Sequence, residues 1–314
     1  MTGNVMQDIS AYSQQSIRQG SKSFARAAML FDRNTRDSVM MLYAWCRHCD
    51  DVIDGQTLGH DAQELSRPEK EARLQALQRE TARVCDGHAS EIPAFAALGR
   101  VVRRHDLPRR HLFELLEGFA MDAREQRFHT LDDTLLYCYH VAGVVGVMMA
   151  RIMGVRDAQV MHRAADLGIA FQLTNIARDV RDDLRIGRCY LPEDWLARKG
   201  VPPAEAALPQ NLPALHGLAC ELVELAEQYY ASARIGMAQL PWRCAWAIGS
   251  ALLIYRDIGL RVRAEGAAVW DQRASVSGRR KLVRLCQGGF VAAHAKARRP
   301  IQALRSGLWT HPDL

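Results

Sequence analysis

The sequence has 314 residues, of which 48% are hydrophobic and 24% charged, and its formal net charge is +6. A chain of this length buries a substantial core, either in one large domain or in two small ones. Its basic residues form short, scattered clusters, whereas nucleic acid binding favours a longer basic stripe with interleaved aromatic residues. We therefore expect no nucleic acid partner, and an anionic substrate or an anionic lipid surface fits the basic surplus.

Cysteine usage and the N-terminal segment indicate the compartment. Most of the eight cysteines fall within apolar helical stretches, where free cysteine behaves as a small hydrophobic residue. Residues 1–20 are polar and lack the apolar core of a signal peptide. The most membrane-like stretch, residues 141–150, is too short to span a bilayer. These patterns predict a reducing, cytoplasmic location and leave peripheral contact with a membrane open.

Helical patterns follow one another along the chain, without strand alternation, repeats or a clear linker. Asn34 and Thr35 resemble a helix start, and the helix that they open carries an acidic cluster. Further helical patterns cover residues 69–84, 92–105, 108–123, 131–153, 160–181, 215–237 and 244–265. Gly143 and Gly146, inside one of these helices, indicate close packing or space for a ligand. The sequence predicts an all-α single domain over residues 20–297, with a flexible N-terminus (1–19) and a frayed tail (298–314).

The first acidic cluster lies at the end of the stretch from Tyr43 to Asp54. Residues four apart share one face of a helix, so Asp50 and Asp54 point their carboxylates in one direction, where like charges repel. Arg47 precedes them on the same face, and the other sides of the helix are apolar, which is typical of a buried helix. Buried carboxylates need partners, and a hard cation such as Mg²⁺ is the simplest one. The alternative is a solvated face with an Arg–Asp pair of little energetic value.

A second cluster repeats this pattern further along the chain. Asp179 and Asp183 lie four residues apart on one stripe, and Arg178 borders it. Asn175 lies on the same stripe and offers a neutral amide oxygen to a hard cation. Two acidic faces with flanking arginines suit a diphosphate held through bridging Mg²⁺ ions, because the metals neutralise its charge and arginine binds its oxygens bidentately.

Three further patterns have both structural and functional interpretations. The Ser-Lys-Ser run at residues 21–23 suits an anionic group, although such a run more often caps a helix. Cys46 and Cys49 have the spacing of a redox pair, but they lie in mid-helix without a second pair at zinc spacing. An apolar stripe of one helix either packs in the core or lines a pocket. Its members are Tyr137, Val141, Val144, Val145 and Met148.

Together these motifs resemble those of the squalene/phytoene synthase family. They are Gly-Ser-Lys-Ser-Phe at 20–24, Tyr-Ala-Trp-Cys-Arg-x-x-Asp-Asp-x-x-Asp at 43–54, Tyr-Cys-Tyr-His-Val-Ala-Gly at 137–143, Gln-Leu-Thr-Asn-Ile-x-Arg-Asp-x-x-x-Asp at 172–183 and Gly-Arg-x-Tyr-Leu-Pro at 187–192. Within the family, the chain looks most like its bacterial, carotenoid-forming members. Asp51 stands where the family often has glutamate, which keeps the charge. The resemblance implies an all-α isoprenoid synthase bundle with a central apolar cavity.

The resemblance also implies roles for individual residues. The implied ligands of Mg²⁺ or Mn²⁺, in roughly two or three ions that bridge the diphosphate, are Asp50, Asp54, Asn175, Asp179 and Asp183. The implied contacts of the prenyl diphosphates are Ser21, Lys22, Ser23, Tyr43, Arg47, Gln172, Arg178 and Tyr255. The implied catalytic residues are Tyr43, Arg47, Tyr137, Arg178 and Arg188. Of these, Tyr137 and Arg188 occupy motif positions that serve proton transfer and diphosphate release.

The implied reaction joins two molecules of geranylgeranyl diphosphate head to head. Loss of diphosphate from the donor gives an allylic cation, which the acceptor double bond attacks, and proton loss gives a cyclopropyl diphosphate. A second ionisation, rearrangement and proton loss give phytoene, and no NADPH is expected. Peripheral membrane contact for product release and contact with neighbouring carotenoid enzymes are the implied partnerships.

Three alternatives stay open on the sequence alone. The same chemistry on farnesyl diphosphate would give squalene or dehydrosqualene. A non-catalytic helical assembly factor could keep the fold, but every metal-ligand position is filled. A helical protein of the membrane surface would also fit the basic balance.

Overall fold

The computed structural model describes residues 2–56, 65–297 and 305–312, and this part of the chain contains helices and no β-strand. The helices are α1 Thr2–Gly20, α2 Lys22–Ala28, α3 Arg33–Asp54, α4 Arg67–Cys85, α5 Pro93–His105, α6 Arg109–Ala123, α7 Leu131–Cys138, α8 Val144–Ile152, α9 Ala158–Arg185, α10 Glu193–Arg198, α11 Leu212–Gly236, α12 Trp242–Glu265 and α13 Gly278–Ala297. The all-α prediction is confirmed.

The N-terminal segment differs from the prediction. We expected residues 1–19 to be flexible, whereas α1 is a helix that packs against α3 and α5. Ile9, Ser13, Ser16 and Ile17 are buried, and their spacing of one to two turns places them on one face. The stretch is polar on average, so its few apolar residues were overlooked, yet they suffice to dock the helix.

Helix α3 begins slightly earlier than predicted and ends directly after the acidic cluster. Asp32, rather than Asn34, caps it: the Asp32 carboxylate accepts hydrogen bonds from the backbone N–H groups of Asn34 (3.0 Å) and Thr35 (3.1 Å). Gly55 ends the helix in the left-handed conformation, with φ of 64°. Asp54 is therefore the last residue of α3.

The stretch predicted as one helix over residues 131–153 is continuous but not uniform. A π-helical turn, Tyr139–Gly143, separates α7 from α8. A Cβ atom added to Gly146 would lie 2.2 Å from the carbonyl oxygen of Ala164 in α9, so this glycine allows close packing of the two backbones. By length and composition the span Leu131–Ile152 could cross a membrane, and 61% of its most apolar window is buried inside the protein.

The C-terminal residues also differ in part from the prediction. Residues 298–304 and 313–314 of the expected frayed tail lie outside the described residues. Residues 305–312 pack on the bundle: Arg305 forms an ion pair with Asp166, and the ring of His311 stacks on Tyr139 at a centroid distance of 4.3 Å. Buried polar and aromatic partners therefore hold this part of the tail.

An apolar cavity of about 300 Å³ lies at the centre of the bundle, as the resemblance predicted. Helices α2, α3, α8, α9, α11 and α12 provide its walls. Tyr43, Asn175 and Tyr255 also line a neighbouring polar pocket and lie at one end. Val160 lines the cavity 15 residues before Asn175 in α9, about 22 Å along the helix axis, and lies towards the other end.

Candidate active site

The first acidic pair lies in the last turns of α3. Asp50 and Asp54 end a helix whose C-terminus carries the negative end of the macrodipole. Arg47 forms ion pairs with Asp50 (2.9 Å) and with Asp51 (2.5 Å). Burial and the neighbouring charge of Asp54 nevertheless raise the pKa of Asp50 to about 7. Since 38% of the Asp50 side chain remains exposed, a cation can reach this crowded carboxylate.

The second acidic pair lies in the last turns of α9 and shows the same electrostatic conflict. Burial and the charge of Asp179 raise the pKa of Asp183 to about 7, against the opposing effect of Arg188. Burial would also raise the pKa of Asp179, but hydrogen bonds from Arg178 and Arg273 outweigh it and lower this pKa. Arg273, in the segment after α12, donates to both Asp179 oxygens at 3.0 and 2.9 Å. Arg273 was not among the predicted site residues, because nothing in its local sequence connects it with α9.

Asn175 lies one turn before Asp179 and presents an unsatisfied oxygen. Its amide nitrogen donates to Gln172 Oε1 at 3.3 Å. Its Oδ1 atom is buried and accepts no hydrogen bond from any described residue. Leaving a buried acceptor unpaired costs about 1–3 kcal/mol. This oxygen is therefore suited to bind a group that is not part of the protein, such as a cation.

Asp122 and Arg188 connect the two acidic pairs. Arg188 Nη2 lies 2.6 Å from Asp54 Oδ1. The Arg188 backbone N–H donates to the backbone carbonyl oxygen of Asp183 at 2.9 Å, which keeps the two residues close. Asp122, in α6, interacts electrostatically with Asp50, Asp54, Asp183 and Arg188. The carboxylates predicted from two distant sequence motifs therefore meet in one cleft, with Asp122 as an additional acidic group.

Two tyrosines hold Asp122 in place. The hydroxyls of Tyr137 and Tyr190 donate to its two carboxylate oxygens at 3.0 and 2.8 Å, and their rings stack at a centroid distance of 4.7 Å. Burial raises the pKa of Asp122 to about 6, although Arg188 and the tyrosine hydroxyls act in the opposite direction. Asp122 was missed by the sequence analysis; its signal was a single acid in the apolar run of α6 that begins at Gly118.

Most of the predicted diphosphate contacts meet at the polar mouth of the cavity. Ser21, Ser23, Arg178 and Tyr255 line this mouth, together with Lys281 at the start of α13. Ser21 also caps α2, since its hydroxyl accepts a hydrogen bond from the Phe24 N–H at 3.2 Å. The helix-cap interpretation of this serine is therefore confirmed, and its contact with an anionic group stays a prediction. Tyr43 and Gln172 line the apolar cavity itself, and Tyr43 also borders the mouth.

Lys22 lies near this mouth but does not line it. Burial first, then the positive charges of Arg26 and Lys22, lower the pKa of Lys281, which places Lys22 in the same electropositive region. The nearby Arg26 guanidinium contacts the Gly278 carbonyl at 3.5 Å. The cluster of cations at the mouth thus includes α13, which the sequence analysis did not predict as a helix.

One apolar stripe divides between the cavity and the core. Val141 and Val145 line the cavity, as one of the two interpretations predicted. Val144 and Met148 are fully buried in the core instead, and Tyr137 turns toward Asp122. The π-helical turn rotates the stripe relative to an ideal α-helix, so the predicted face does not stay together.

The donor set fits divalent metal ions that are shared with a diphosphate. Within the described part of the chain, no three His, Cys, Asp or Glu side chains are arranged to hold an ion by themselves. Mg²⁺, however, typically binds through one or two carboxylates plus substrate phosphates. The Asn175 Oδ1 atom is unpaired, and the pKa values of Asp50 and Asp183 are raised. The oxygen atoms of these three side chains therefore have too little positive charge near them. The residues present therefore fit the group.

The mouth of the apolar cavity carries Arg178, Arg273 and Lys281, and the two arginines bind Asp179 of the neighbouring acidic cleft. In a helical bundle, this combination is that of a prenyltransferase. Residues 17–280 match the family model described as squalene/phytoene synthase, and the chain belongs to this family.

Named relatives agree with this assignment. The chain is 52% identical over 308 residues to the 15-cis-phytoene synthase of Paracoccus sp. (strain N81106 / MBIC 01143), covering 98% of this chain and 99% of the relative. It is also 52% identical to the 15-cis-phytoene synthase of Pantoea ananas, covering 93% and 94%. Among solved structures, a dehydrosqualene synthase in complex with ligand superposes with a TM-score of 0.81 at 31% identity, covering 93% and 98% of the two chains.

Proposed function

We propose that this protein condenses two molecules of geranylgeranyl diphosphate to phytoene and releases diphosphate, as a step of carotenoid biosynthesis. The observation that carries the reaction class is the single cleft in which both acidic helices meet at the mouth of an apolar cavity. The choice of a C20 substrate rests on the 52% identity to 15-cis-phytoene synthases over nearly the whole chain.

The cleft residues divide into metal ligands and direct diphosphate contacts. Asp50, Asp54, Asn175, Asp179 and Asp183 would hold Mg²⁺ or Mn²⁺. When bound, these ions neutralise diphosphate oxygens and make the diphosphate a better leaving group. Arg47, Arg178, Arg188, Lys22, Ser21 and Ser23 would contact its remaining oxygens. Arg178 is already in contact with Asp179, so we expect its guanidinium to be shared between that carboxylate and the substrate.

The cavity walls would protect the cationic intermediates from water. Phe24, Phe171 and Tyr255 form a continuous aromatic group next to the mouth, with ring centroids 4.3–5.9 Å apart. Aromatic faces attract cations, and the apolar surroundings exclude the solvent that would otherwise capture an allylic cation. Tyr43 and Tyr137 would orient the reacting ends, and burial raises the pKa of both hydroxyls, which keeps them protonated.

The metal assignment is tested by single amide substitutions. Asp50→Asn and Asp179→Asn should each lower turnover of geranylgeranyl diphosphate by roughly a hundredfold or more. The lost carboxylate charge weakens binding of the metal ions that stabilise the departing diphosphate. Calorimetry should show a parallel weakening in the binding of Mn²⁺ together with inorganic diphosphate. Unchanged binding and turnover in both variants would show that these carboxylates do not serve the metal.

Asp182 provides a matched control within the second cluster. It neighbours Asp183 in sequence, but its side chain is 53% exposed and forms an ion pair with Arg185 at 3.1 Å. Asp182→Asn changes the charge of the same helix by the same amount without touching the cleft. Its turnover should stay within about twofold of the wild type.

Substrate length is tested with the purified wild-type enzyme and Mg²⁺, without NADPH. We expect a C40 hydrocarbon from geranylgeranyl diphosphate and much slower turnover of farnesyl diphosphate. The alternative, a C15 substrate giving dehydrosqualene, has one structural observation in its favour, the TM-score of 0.81 to a dehydrosqualene synthase. A C30 product as the main outcome would support that alternative.

We also infer that α13 contacts an anionic lipid surface, into which the water-insoluble product can pass. Leu282, Val283 and Phe290 are 63%, 51% and 77% exposed. An α-helix turns by about 100° per residue. On this basis these three side chains, with Cys286 and Ala293, lie within one sector of the outer surface of α13 that is about 100° wide. Arg279 lies at one end of this stripe and Lys296 near the other, so basic groups flank the apolar face at both ends.

Vesicle sedimentation tests this surface. The double variant Val283→Ser and Phe290→Ser should bind vesicles of phosphatidylglycerol and phosphatidylcholine at least about tenfold more weakly, since each buried apolar side chain contributes about 1.5–3 kcal/mol. Ile186→Ser removes an apolar side chain of similar exposure, 66%, on a different element, and should leave binding unchanged. Equal loss in both variants would indicate non-specific adsorption rather than docking through α13.

A further inference from the structure

A buried arginine lines the cavity far from its mouth, and no step of the proposed reaction uses it. Arg163 lies in α9, 12 residues before Asn175, which corresponds to about 18 Å along the helix axis. Of the described residues that line the cavity, Arg163 alone carries a full charge. It is 9% exposed, and Val160, one turn before it in α9, also lines the cavity.

A hydrogen-bonded chain fixes this arginine to the C-terminal tail. Arg163 Nη1 donates to Ser232 Oγ at 3.0 Å, and the Ser232 hydroxyl donates to Asp166 Oδ2 at 2.5 Å. Arg305 Nε donates to the same Asp166 oxygen at 2.7 Å, and its Nη2 contacts Asp166 Oδ1. Asp166 is fully buried. Four polar side chains from α9, α11 and the tail thus form one satisfied network behind the end of the cavity.

The backbone also leaves Arg163 little freedom to move. A Cβ atom added to Gly236 in α11 would lie 2.8 Å from Arg163 Cβ. The stem of the arginine therefore fills the space that this glycine leaves. Its head group could withdraw only by breaking the bond to Ser232, which would leave buried donors unpaired.

We propose that Arg163 determines the length of the prenyl chain that the cavity accepts, by closing its far end with an immobile charged group; this inference rests on the proposed function. Met153 and Leu240, which also line the cavity, could change rotamers to admit a longer hydrocarbon, whereas hydrogen bonds hold Arg163 in place. A hydrocarbon that displaced or covered the guanidinium would strip it of hydrogen bonds instead, at a cost that no apolar contact offsets. The network through Ser232, Asp166 and Arg305 positions this group.

The test compares substrates that differ by one isoprene unit. Arg163→Ala removes the head group and most of the stem while the Asp166–Arg305 pair stays intact. We expect the ratio of kcat/KM for the C25 substrate geranylfarnesyl diphosphate to that for the C20 substrate to rise by roughly tenfold or more, with products longer than C40 detected by mass. Arg163→Met keeps much of the volume without the charge and should give a smaller rise in the same direction.

Arg256→Ala controls for the loss of a half-buried arginine. Arg256 forms an ion pair with Glu227 at 2.7 Å and does not line the cavity, so its variant should keep the wild-type ratio. A defect in folding alone would lower both kcat/KM values together and leave their ratio unchanged.

Two results are decisive. An unchanged ratio in Arg163→Ala, or in Arg163→Met if the alanine variant does not fold, would overturn the inference. A wild-type enzyme that prefers the C15 substrate would instead overturn the proposed function. The length test would then compare kcat/KM for the C20 substrate with that for the C15 substrate.

Discussion

Arg188 and Asp54 are separated by 134 residues in sequence, yet Arg188 Nη2 lies 2.6 Å from Asp54 Oδ1. This ion pair joins the loop after α9 to the end of α3. It brings a positive charge between carboxylates that would otherwise repel one another, since Asp122 and Asp183 also interact with Arg188. The pair therefore ties the loop after α9 to the end of α3, so that the two acidic pairs share one cleft.

Replacing Arg188 tests this function directly. Arg188→Gln removes the bridging charge, so we expect kcat/KM with geranylgeranyl diphosphate to fall by roughly a hundredfold, as for other donors that stabilise a leaving group. Arg185→Gln is the matched control, because Arg185 is 59% exposed and pairs with Asp182 outside the cleft. If Arg188→Gln and Arg185→Gln both stay within threefold of the wild type in steady-state kinetics, the bridge has no catalytic importance.

The buried carboxyl of Asp122 gives a second prediction, on stability against pH. Burial raises its folded-state pKa to about 6 from the usual 3.8. The folded state thus holds a proton that the unfolded state has released, so the contribution of Asp122 to stability falls as the pH rises from about 4 to about 6. The loss is of the order of 2–3 kcal/mol and stays constant above this window.

The substitution Asp122→Asn should remove this contribution. In chelator-treated protein, urea unfolding at pH 5 and pH 8 should show a smaller decline of the free energy of unfolding in the variant than in the wild type. The charge of Asp122 also raises the pKa values of Asp50 and Asp183, so its removal reduces their share of the decline as well, in the same direction. Equal declines in the two proteins would mean that Asp122 is ionised throughout this range.

Local sequence patterns predicted the acidic face of each helix but not how the two faces meet. The spacing of Asp50 and Asp54, and of Asp179 and Asp183, follows from helical geometry alone. Their convergence depends on tertiary partners from α6 and from the loop after α9. Within α6, Asp122 has no acidic residue three or four positions away, so periodicity could not distinguish it from an ordinary surface acid. Family resemblance supplied the roles that spacing could not.

The described chain ends differ from the prediction for a common physical reason. Ile9 and Ile17 in α1, and Trp309 in the tail, are isolated apolar residues in polar segments, where averaged composition predicts disorder. Each is nevertheless held by contacts with the bundle rather than by its own sequence neighbours. Helix α13 was not predicted for a related reason, since its inner face consists of small residues such as Gly288. A Cβ atom added to Gly288 would lie only 2.6 Å from the backbone nitrogen of Ser250. Its larger apolar residues face outward.

The tail contact itself leads to a third prediction. Arg305 is 14% exposed and pairs with Asp166, which is fully buried. Arg305→Gln would leave that carboxylate without its main counter-charge, so we expect the free energy of unfolding to fall by about 3–5 kcal/mol. Arg261→Gln, which breaks an ion pair with Glu265 that is 41% exposed on each side, should cost less than about 1 kcal/mol. Similar midpoints for the two variants in urea titrations would show that the tail does not stabilise the bundle.

The crossing of the π-helical turn Tyr139–Gly143 with α9 gives the last prediction. A Cβ atom at Gly168 would lie 2.1 Å from the carbonyl oxygen of Ala142 and 2.5 Å from its carbonyl carbon, and neither backbone atom can move without separating the helices. Gly168→Ala should therefore destabilise the protein by about 3 kcal/mol or more. At Gly217, also inside a helix, the nearest atom to an added Cβ is Lys199 Nζ at 3.9 Å. Gly217→Ala should stabilise by about 0.5–1 kcal/mol, because it restricts the unfolded chain without a clash. Thermal unfolding of both variants measures the difference in sign, and a stabilised Gly168→Ala variant would show that the two helices are not in backbone contact.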